Sequence, residues 1–361
     1  MNLFICSTPY QVFNAVNISK TLFATKQSDL YILNVSKVSL EIYKNIKDMD
    51  LFRNVYLIKV YADLPNRNRF LYLQNRISKI FSIKNIIPNP DDIYDKIFIV
   101  GTEVFSKSIY YYWQKKNNNI ELNYYEDGTG SYFRILMENR KMLKHKILNL
   151  LKGFDLLSKC KALYVYRPNC VMSRFKHIDI KQIPIIQKDE DHLYELKRIF
   201  KNSSQPLSHR LIFFDSDFGD ERILNQQIKF VEKIKSTLNN RFFIKLHPNS
   251  NSNRYGEKIE LLETTEGFEM INLGQNMSDK ILVSIASSAC ITPKLIYNEE
   301  PYIIYLYKLI DDWDAYAPNF DFFINSVKDL YDIPERFFIP NNLKEFSDIL
   351  SKLNEQHQES V

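Results

Sequence analysis

Two adjacent carboxylates beside a pair of glycines mark the first candidate site. The sequence EDGTG begins with Glu126 and Asp127 and stands between a predicted strand and a predicted helix. Asp-Gly is a strong turn signal, so Gly128 and Thr129 fit a turn as well as a functional loop. A turn does not need two neighbouring acids. A buried acid in such a pair has a raised proton affinity, which suits a general base that deprotonates a sugar hydroxyl.

A histidine held by a proline marks the second candidate. The sequence KLHP places Lys245, His247 and Pro248 at the end of a predicted apolar strand. Proline ends the strand and fixes the backbone, so the imidazole is held in a defined direction. The other five of the six histidines stand in polar or basic sequence and are predicted at the surface. We therefore expect His247 to donate a proton or a hydrogen bond to a phosphate leaving group.

Hydroxyls and carboxylates follow two further predicted strands. Ser287 and Ser288 stand at a strand-to-helix turn, where hydroxyls and free backbone amides bind phosphate; a serine N-cap is the ordinary alternative. Asp215, Asp217 and Asp220 in DSDFGD can cap the helix that follows, and we expect at least one of them to do so. Any one of the three can instead face the site.

Alternating strands and helices position these candidates. Short apolar runs rich in β-branched and aromatic residues predict strands, and stretches of helical period lie between them. This alternation indicates parallel sheets with crossover helices. The predicted strands lie at 3–6, 30–35, 55–60, 96–101, 120–125, 210–217, 241–247, 268–273, 280–289 and 301–307. The candidate residues follow strand ends, where open α/β sheets bind ligands.

The chain is predicted to contain two α/β domains, residues 1–170 and 208–361. Prolines, charges and weak periodicity in 171–207 indicate a linker with a partly helical segment. We expect two doubly wound, Rossmann-like domains that face a central cleft containing the site.

Composition and charge exclude several function classes. A net charge of +5 over 361 residues is too small to indicate nucleic-acid binding, and no recognised nucleic-acid motif is present. Four cysteines without CxxC spacing predict neither a zinc site nor a disulfide framework and suit a reducing cytosol. No run approaches the ~20 apolar residues of a membrane-spanning helix. The basic amphipathic stretch 140–154 fits a core-facing helix, with contact to an anionic membrane as the alternative.

The motifs LFICSTPYQ, EDGTG, KLHP and SIASSA, in this order, resemble the bacterial sialyltransferases of glycosyltransferase family 52, the lipooligosaccharide type. The acidic-Asp-Gly and His-Pro motifs are shared with other bacterial sialyltransferases and polysialyltransferases. The resemblance implies a GT-B fold in which the first domain binds the acceptor and the second binds CMP-sialic acid. It also implies an inverting reaction that needs no metal or other cofactor.

The implied activity is transfer of sialic acid to a terminal galactose of a lipooligosaccharide or capsule glycan. The alternatives are a polysialyltransferase or a related enzyme that uses another nonulosonic acid or nucleotide sugar. The expected partners are a nucleotide sugar and a glycan acceptor, without nucleic acid. We expect a cytoplasmic enzyme with peripheral contact to the inner membrane face, and a homodimer is compatible with the sequence.

The resemblance also suggests roles for the candidate residues. His247 would be the acid or phosphate contact, and Ser287 and Ser288 would hold the same phosphate. Asp127 is the first candidate for the general base and Asp217 the second. The residues expected to bind substrate around them are Glu126, Gly128, Thr129, Asp215, Lys245 and Pro248.

Overall fold

The computed structural model divides the chain into two α/β units. The first comprises Met1–Ile186 and Glu190–Lys201, and the second comprises Gln187–Asp189 and Asn202–Val361. The residues that the structure describes are 1–34, 37–60, 83–100, 104–133, 159–172, 178–188, 190–201, 207–239, 241–247, 250, 252–256, 259–262 and 267–358.

The first unit is built on one parallel sheet. Its strands are Asn2–Cys6 (β1), Ser28–Leu33 (β2), Asn54–Ile58 (β3), Lys96–Ile99 (β4), Glu121–Tyr125 (β5), Cys160–Val165 (β6) and Asp179–Gln182 (β7). Their order is β3-β2-β1-β4-β5-β6-β7, which reverses direction between β1 and β4. The central strands β1 and β2 are buried along their whole length, because helices cover both faces of a parallel sheet. A reversal of strand order creates a crevice at the carboxyl ends of the strands.

The described helices of the first unit cross between these strands. They are Pro9–Thr21 (α1), Lys37–Ile46 (α2), Val104–Lys116 (α3), Gly130–Phe133 (α4) and Glu190–Phe200 (α5). Helix α1 starts directly at the end of β1, because the Thr8 hydroxyl caps it by accepting from the Gln11 N–H and a proline occupies its first turn. This start directs the first turn of α1 towards the carboxyl edge of the sheet.

The second unit repeats the same plan. Its strands are Leu211–Phe214 (β8), Phe242–Lys245 (β9), Glu260–Leu261 (β10), Ile281–Ser284 (β11), Tyr302–Tyr305 (β12) and Phe337–Phe338 (β13). They are parallel in the order β10-β9-β8-β11-β12-β13, the doubly wound arrangement with its switch point between β8 and β11. The carboxyl ends of β9, β8 and β11 therefore lie side by side.

Helices of the second unit connect these strands. They are Glu221–Leu238 (α6), Phe268–Leu273 (α7), Thr292–Tyr297 (α8), Trp313–Tyr316 (α9), Phe320–Lys328 (α10) and Leu343–Gln358 (α11). Asp220 caps α6 by accepting from the Arg222 N–H, which confirms that one aspartate of DSDFGD is a helix cap. Helix α11 packs on α6, where the rings of Phe230 and Phe346 meet edge to face with their centroids 6.3 Å apart.

Most of the predicted strands are confirmed, but the one at 268–273 is wrong, because these residues form helix α7. Glycines at 267 and 274 flank it, and short apolar runs do not distinguish a strand from a buried helix.

The segment 171–207, predicted as a linker, contains β7 and α5, and α5 packs on α2 in the first unit. The stretch 140–154 lies outside the described residues. None of the helices described is long and apolar enough to cross a membrane.

Candidate active site

The EDGTG loop lies at the carboxyl end of β5. The Glu126 N–H donates to the Tyr164 carbonyl at 2.9 Å, which extends the pairing of β5 with β6 by one residue. The chain then turns at Gly128, whose φ of +79° is a conformation that favours glycine. The Asp127 N–H donates to the Ser131 hydroxyl at 2.8 Å and closes the turn. These bonds fix the two carboxylates in different surroundings.

Glu126 is buried and its carboxylate is held by three donors. Oε1 accepts from the Tyr10 hydroxyl at 2.9 Å, and Oε2 accepts from the Tyr132 hydroxyl and from the Tyr166 N–H at 3.0 Å. Burial raises the pKa of Glu126 to about 7, although the three donors oppose this shift. Both oxygens are thus engaged inside the unit, which suits a residue that holds the loop in place.

Asp127 is only half-buried. Its Oδ1 accepts from Gln11 Nε2 at 3.1 Å, and Gln11 Oε1 accepts in turn from the Ser7 N–H at 2.7 Å and the Ser7 hydroxyl at 3.0 Å. Burial raises the pKa of Asp127, and the bond from Gln11 opposes the rise. A carboxylate with one neutral donor and a raised pKa is suited to accept a proton from a substrate hydroxyl.

Helix α1 supports this loop through residues that the sequence analysis did not single out. Asn14 Nδ2 donates to the Glu126 carbonyl at 2.9 Å, and the Tyr166 hydroxyl donates to Asn14 Oδ1 at 2.8 Å. Tyr10 and Gln11 belong to the motif LFICSTPYQ, in which no residue was predicted to bind or catalyse. Asn14 lies one turn further along α1, a spacing that could have indicated the same face.

In the second unit, Asp215 follows β8 and is buried. Its Oδ1 accepts from Gln227 Nε2 at 2.5 Å and from the Tyr255 hydroxyl. Its Oδ2 accepts from the His247 N–H at 3.1 Å and lies 3.4 Å from the Arg254 guanidinium. The carboxylate of Asp215 is therefore used to hold other parts of the site, and it fixes the backbone of His247.

His247 lies just beyond the end of β9 and is half-buried. The Asp215 N–H donates to the Lys245 carbonyl at 3.0 Å, and the Asp215 carboxylate accepts from the His247 N–H. Two hydrogen bonds therefore join the segments that follow β8 and β9. Pro248 lies outside the described residues. The structure thus supplies a fixed backbone for His247 from Asp215, a contact that the sequence spacing did not indicate.

The serines after β11 join the same edge. The Ser284 hydroxyl donates to the Phe214 carbonyl at 3.0 Å and accepts from the Ser287 N–H at 3.0 Å. The Ser287 hydroxyl accepts from the Ala289 N–H, so it caps the short turn Ser288–Cys290. In the described part of the chain, the Ser288 hydroxyl has no hydrogen bond. The Ser287 and Ser288 hydroxyls are both half-exposed at the switch point of the sheet.

Asp217, the second candidate base, is exposed. Its Oδ1 accepts from the Gly219 N–H at 3.1 Å, a local bond that shapes the turn before α6. The exposed position gives Asp217 no environment comparable to that of Asp127. Across the described ranges, no three His, Cys, Asp or Glu side chains gather in a way that could hold a metal ion. The expectation that the reaction needs no metal stays a prediction.

Comparison with known proteins gives a family and a fold. The family model described as alpha-2,8-polysialyltransferase matches residues 2–305. No curated protein matches the chain significantly. Among solved structures, the GT-B domain of a Photobacterium damselae sialyltransferase, its residues 113–497, is 15% identical, with 94% of this chain and 100% of that chain covered and a TM-score of 0.50.

Two further structures share the fold at low identity. The apo UGT2 of Phytolacca americana is 10% identical, with 98% of this chain and 90% of that chain covered and a TM-score of 0.51. The glycotransferase of kitacinnamycin is 9% identical, with 98% and 90% covered and a TM-score of 0.50. The predicted fold class, α/β of GT-B type with two Rossmann-like domains, is confirmed.

Proposed function

Because the chain belongs to the alpha-2,8-polysialyltransferase family, and is therefore a glycosyltransferase, we propose that it transfers sialic acid from CMP-sialic acid to a hydroxyl of a bacterial glycan. The proposed reaction inverts the anomeric centre in one displacement and needs no metal ion. The observation that carries the proposal is the half-buried Asp127 carboxylate, held by Gln11 beside the fully engaged Glu126.

The acceptor is the finer part of the proposal. The family match favours a terminal sialic acid, which would make the product an α2,8-linked chain. A terminal galactose of a lipooligosaccharide or capsule glycan is the second candidate, and the order of the motifs LFICSTPYQ, EDGTG, KLHP and SIASSA favours it. Transfer of another nonulosonic acid from its nucleotide would use the same groups.

Asp127 is proposed as the general base in preference to Asp217. Burial raises the pKa of Asp127, so its carboxylate takes a proton more readily than an exposed aspartate does. Gln11 fixes the orientation of the Asp127 carboxylate. Glu126 holds the EDGTG loop in place by accepting hydrogen bonds from the Tyr10 and Tyr132 hydroxyls. Asp217 is exposed and bonded to its own turn, which supports a structural role.

In the second unit, His247 and the serines are proposed to receive the CMP phosphate. Negative charge develops on this phosphate as the glycosidic bond to CMP breaks, and positioned donors stabilise that charge. His247 would supply a proton or a hydrogen bond, with its backbone fixed by Asp215. Ser287 and Ser288 would supply hydroxyl donors at the turn after β11. Lys245 is the last residue of β9, two residues before His247, and adds positive charge to this edge.

Release of CMP from CMP-sialic acid tests the proposal. We expect turnover with oligosialic acid or with galactosides, in the presence of EDTA, and no turnover with UDP or GDP sugars. Asp127→Asn should lower kcat by about 10²–10⁴, because that is the usual contribution of a positioned base. Asp217→Asn is the matched control and should retain most of the wild-type rate.

Three outcomes would contradict the proposal in different ways. Absence of CMP release with every acceptor would remove the activity. A requirement for added metal would remove the metal-free mechanism. An Asp217→Asn variant that loses more activity than Asp127→Asn would transfer the role of base to Asp217, while leaving sialyl transfer itself in place.

A further inference from the structure

A cavity lies at the amino edge of the sheet in the second unit, opposite the edge that carries Asp215 and His247. It has a volume of about 180 Å³, and its apolar wall is formed by Leu211, Leu238, Ile281, Leu350 and Leu353. The amino ends of β8 and β11 contribute two of these residues, the end of α6 contributes Leu238, and the middle of α11 contributes Leu350 and Leu353. Asp215 and Ser287 follow the other ends of the same strands, so this cavity is separate from the candidate active site.

Two arginines line the cavity without a carboxylate partner among the described residues. Arg210 donates from Nε to the Asp279 carbonyl at 2.7 Å and from a terminal nitrogen to the Leu353 carbonyl at 2.9 Å. Arg241 is exposed and donates to the Leu238 carbonyl at 3.4 Å. Backbone carbonyls carry no formal charge, so both guanidinium groups keep their positive charge at the mouth of an apolar cavity.

The nearby acidic side chains contact groups other than these two arginines. Nε2 of His209, which also lines the cavity, lies 2.8 Å from the Glu260 carboxylate. The Asp279 carboxylate lies 3.5 Å from the ammonium of Lys280. No carboxylate is part of the described lining. Another guanidinium, that of Arg336, lies on the ring of Tyr302, 4.9 Å from its centroid, and Arg210 lies on the same ring at 5.1 Å.

We propose that this cavity binds an organic carboxylate with a short apolar chain. The carboxylate would accept hydrogen bonds from Arg241 and Arg210, since a planar guanidinium matches a carboxylate in two parallel bonds. The chain would pack against the leucines, since small-molecule sites combine apolar walls with a few fixed polar groups. The competing structural explanation is that the arginines only bind backbone carbonyls, Arg241 that of Leu238 at the end of α6 and Arg210 those of Asp279 and Leu353.

Thermal unfolding of the full chain with octanoate as the probe separates these explanations. We expect octanoate, below its micellar concentration, to raise the melting temperature and to saturate, because a ligand of the folded state stabilises it. Octanol, octylammonium and acetate test the neutral head, the cationic head and the head without a chain. Each should give a much smaller rise than octanoate. An equal rise with octanol would show that the arginines take no part and would overturn the proposal.

Variants locate the binding. Arg241→Ala should weaken octanoate binding by roughly tenfold or more, since it removes a charge-assisted hydrogen bond. Arg222→Ala, which removes an exposed arginine near the start of α6, is the matched control and should bind normally. Asn354→Trp fills the cavity from a half-exposed position on α11 and should abolish binding, whereas Lys352→Trp on the exposed face of α11 should not.

Each variant is first melted without ligand, so that a change in folding is separated from a change in binding. Normal octanoate binding by Arg241→Ala or by Asn354→Trp would overturn the proposal. So would the absence of any saturable rise in the wild-type protein. We expect CMP to raise the melting temperatures of Arg241→Ala, Asn354→Trp and the wild type equally, because the proposed function uses the other edge of the sheet.

Discussion

Glu126 combines full burial with a carboxylate that three donors hold. Its pKa is raised from 4.5 to about 7 by burial, so the folded unit favours the protonated form more than the unfolded chain does. Its contribution to stability is fully present below pH 4.5 and is lost as the pH rises through 7. At about 1.4 kcal/mol for each pH unit, the wild type loses about 3 kcal/mol over that window through this residue.

Glu126→Gln removes this pH dependence, because an amide has no proton to lose. We expect the stability of the variant relative to the wild type to rise by about 3 kcal/mol between pH 4.5 and 8. Hydrogen exchange at the amides of β5, followed over this pH range, measures the local free energy of opening. A constant difference between the two proteins across the window would contradict the raised pKa of Glu126.

The two acids could be found in the sequence, but their separate roles could not. Nothing in the letters ED shows which carboxylate is buried. That difference comes from Tyr166 and Asn14, which lie 40 residues after and 112 residues before Glu126 in the sequence and meet it only in the fold. His247 was likewise found from its proline, whereas the bond from its N–H to Asp215 required the neighbouring positions of β8 and β9.

At the scale of elements, strands that stand out as apolar runs were predictable, including β3 at a sheet edge, whereas β6, β7, β10 and β13 were not predicted. β8 is a continuous apolar run, and β1 and β11 are apolar except for one polar residue at an end, as expected for strands buried on both faces. β7 has the sequence DIKQ and lies at the sheet edge, so its pairing with β6 rather than its composition makes it a strand. Residues 268–273 were predicted as a strand but form a helix. They are a short and mostly buried apolar run, and the periodicity of such a run does not distinguish a strand from a helix.

Gln227 joins helix α6 to the end of β8. Its Nε2 donates to Asp215, to the Ser216 carbonyl at 3.2 Å and to the Tyr255 hydroxyl at 2.7 Å, and its Oε1 accepts from the Ser216 N–H at 3.1 Å. Gln227→Leu leaves buried polar groups without these partners. We therefore expect the second unit to lose about 1–3 kcal/mol of stability.

The same variant should weaken CMP binding several-fold, because Asp215 fixes the backbone of His247. Urea unfolding and CMP titration measure the two effects. Gln226→Leu, a half-exposed neighbour on α6, is the matched control and should change neither quantity. If Gln227→Leu binds CMP as tightly as Gln226→Leu does, then α6 does not support the proposed phosphate site through Gln227.

At the scale of the whole molecule, the second unit is not continuous in sequence. Residues Gln187–Asp189 belong to it, the chain then returns to the first unit as α5, and the main part of the second unit follows from Asn202. The contacts of Lys188 explain why residues Gln187–Asp189 belong to the second unit. Its ammonium donates to Glu299 at 2.5 Å, to the Gln275 carbonyl at 2.7 Å and to Asn272 at 3.2 Å.

These bonds make Lys188 part of the fold of the second unit, although it precedes the rest of that unit by a helix. Lys188→Ala leaves the mostly buried Glu299 carboxylate without its cation, so we expect the second unit to lose about 1–3 kcal/mol. Lys181→Ala removes the exposed ion pair with Asp179 and should cost about 0–1 kcal/mol. Hydrogen exchange over residues 272–281 measures the difference. Equal protection in the two variants would mean that Lys188 does not stabilise the second unit.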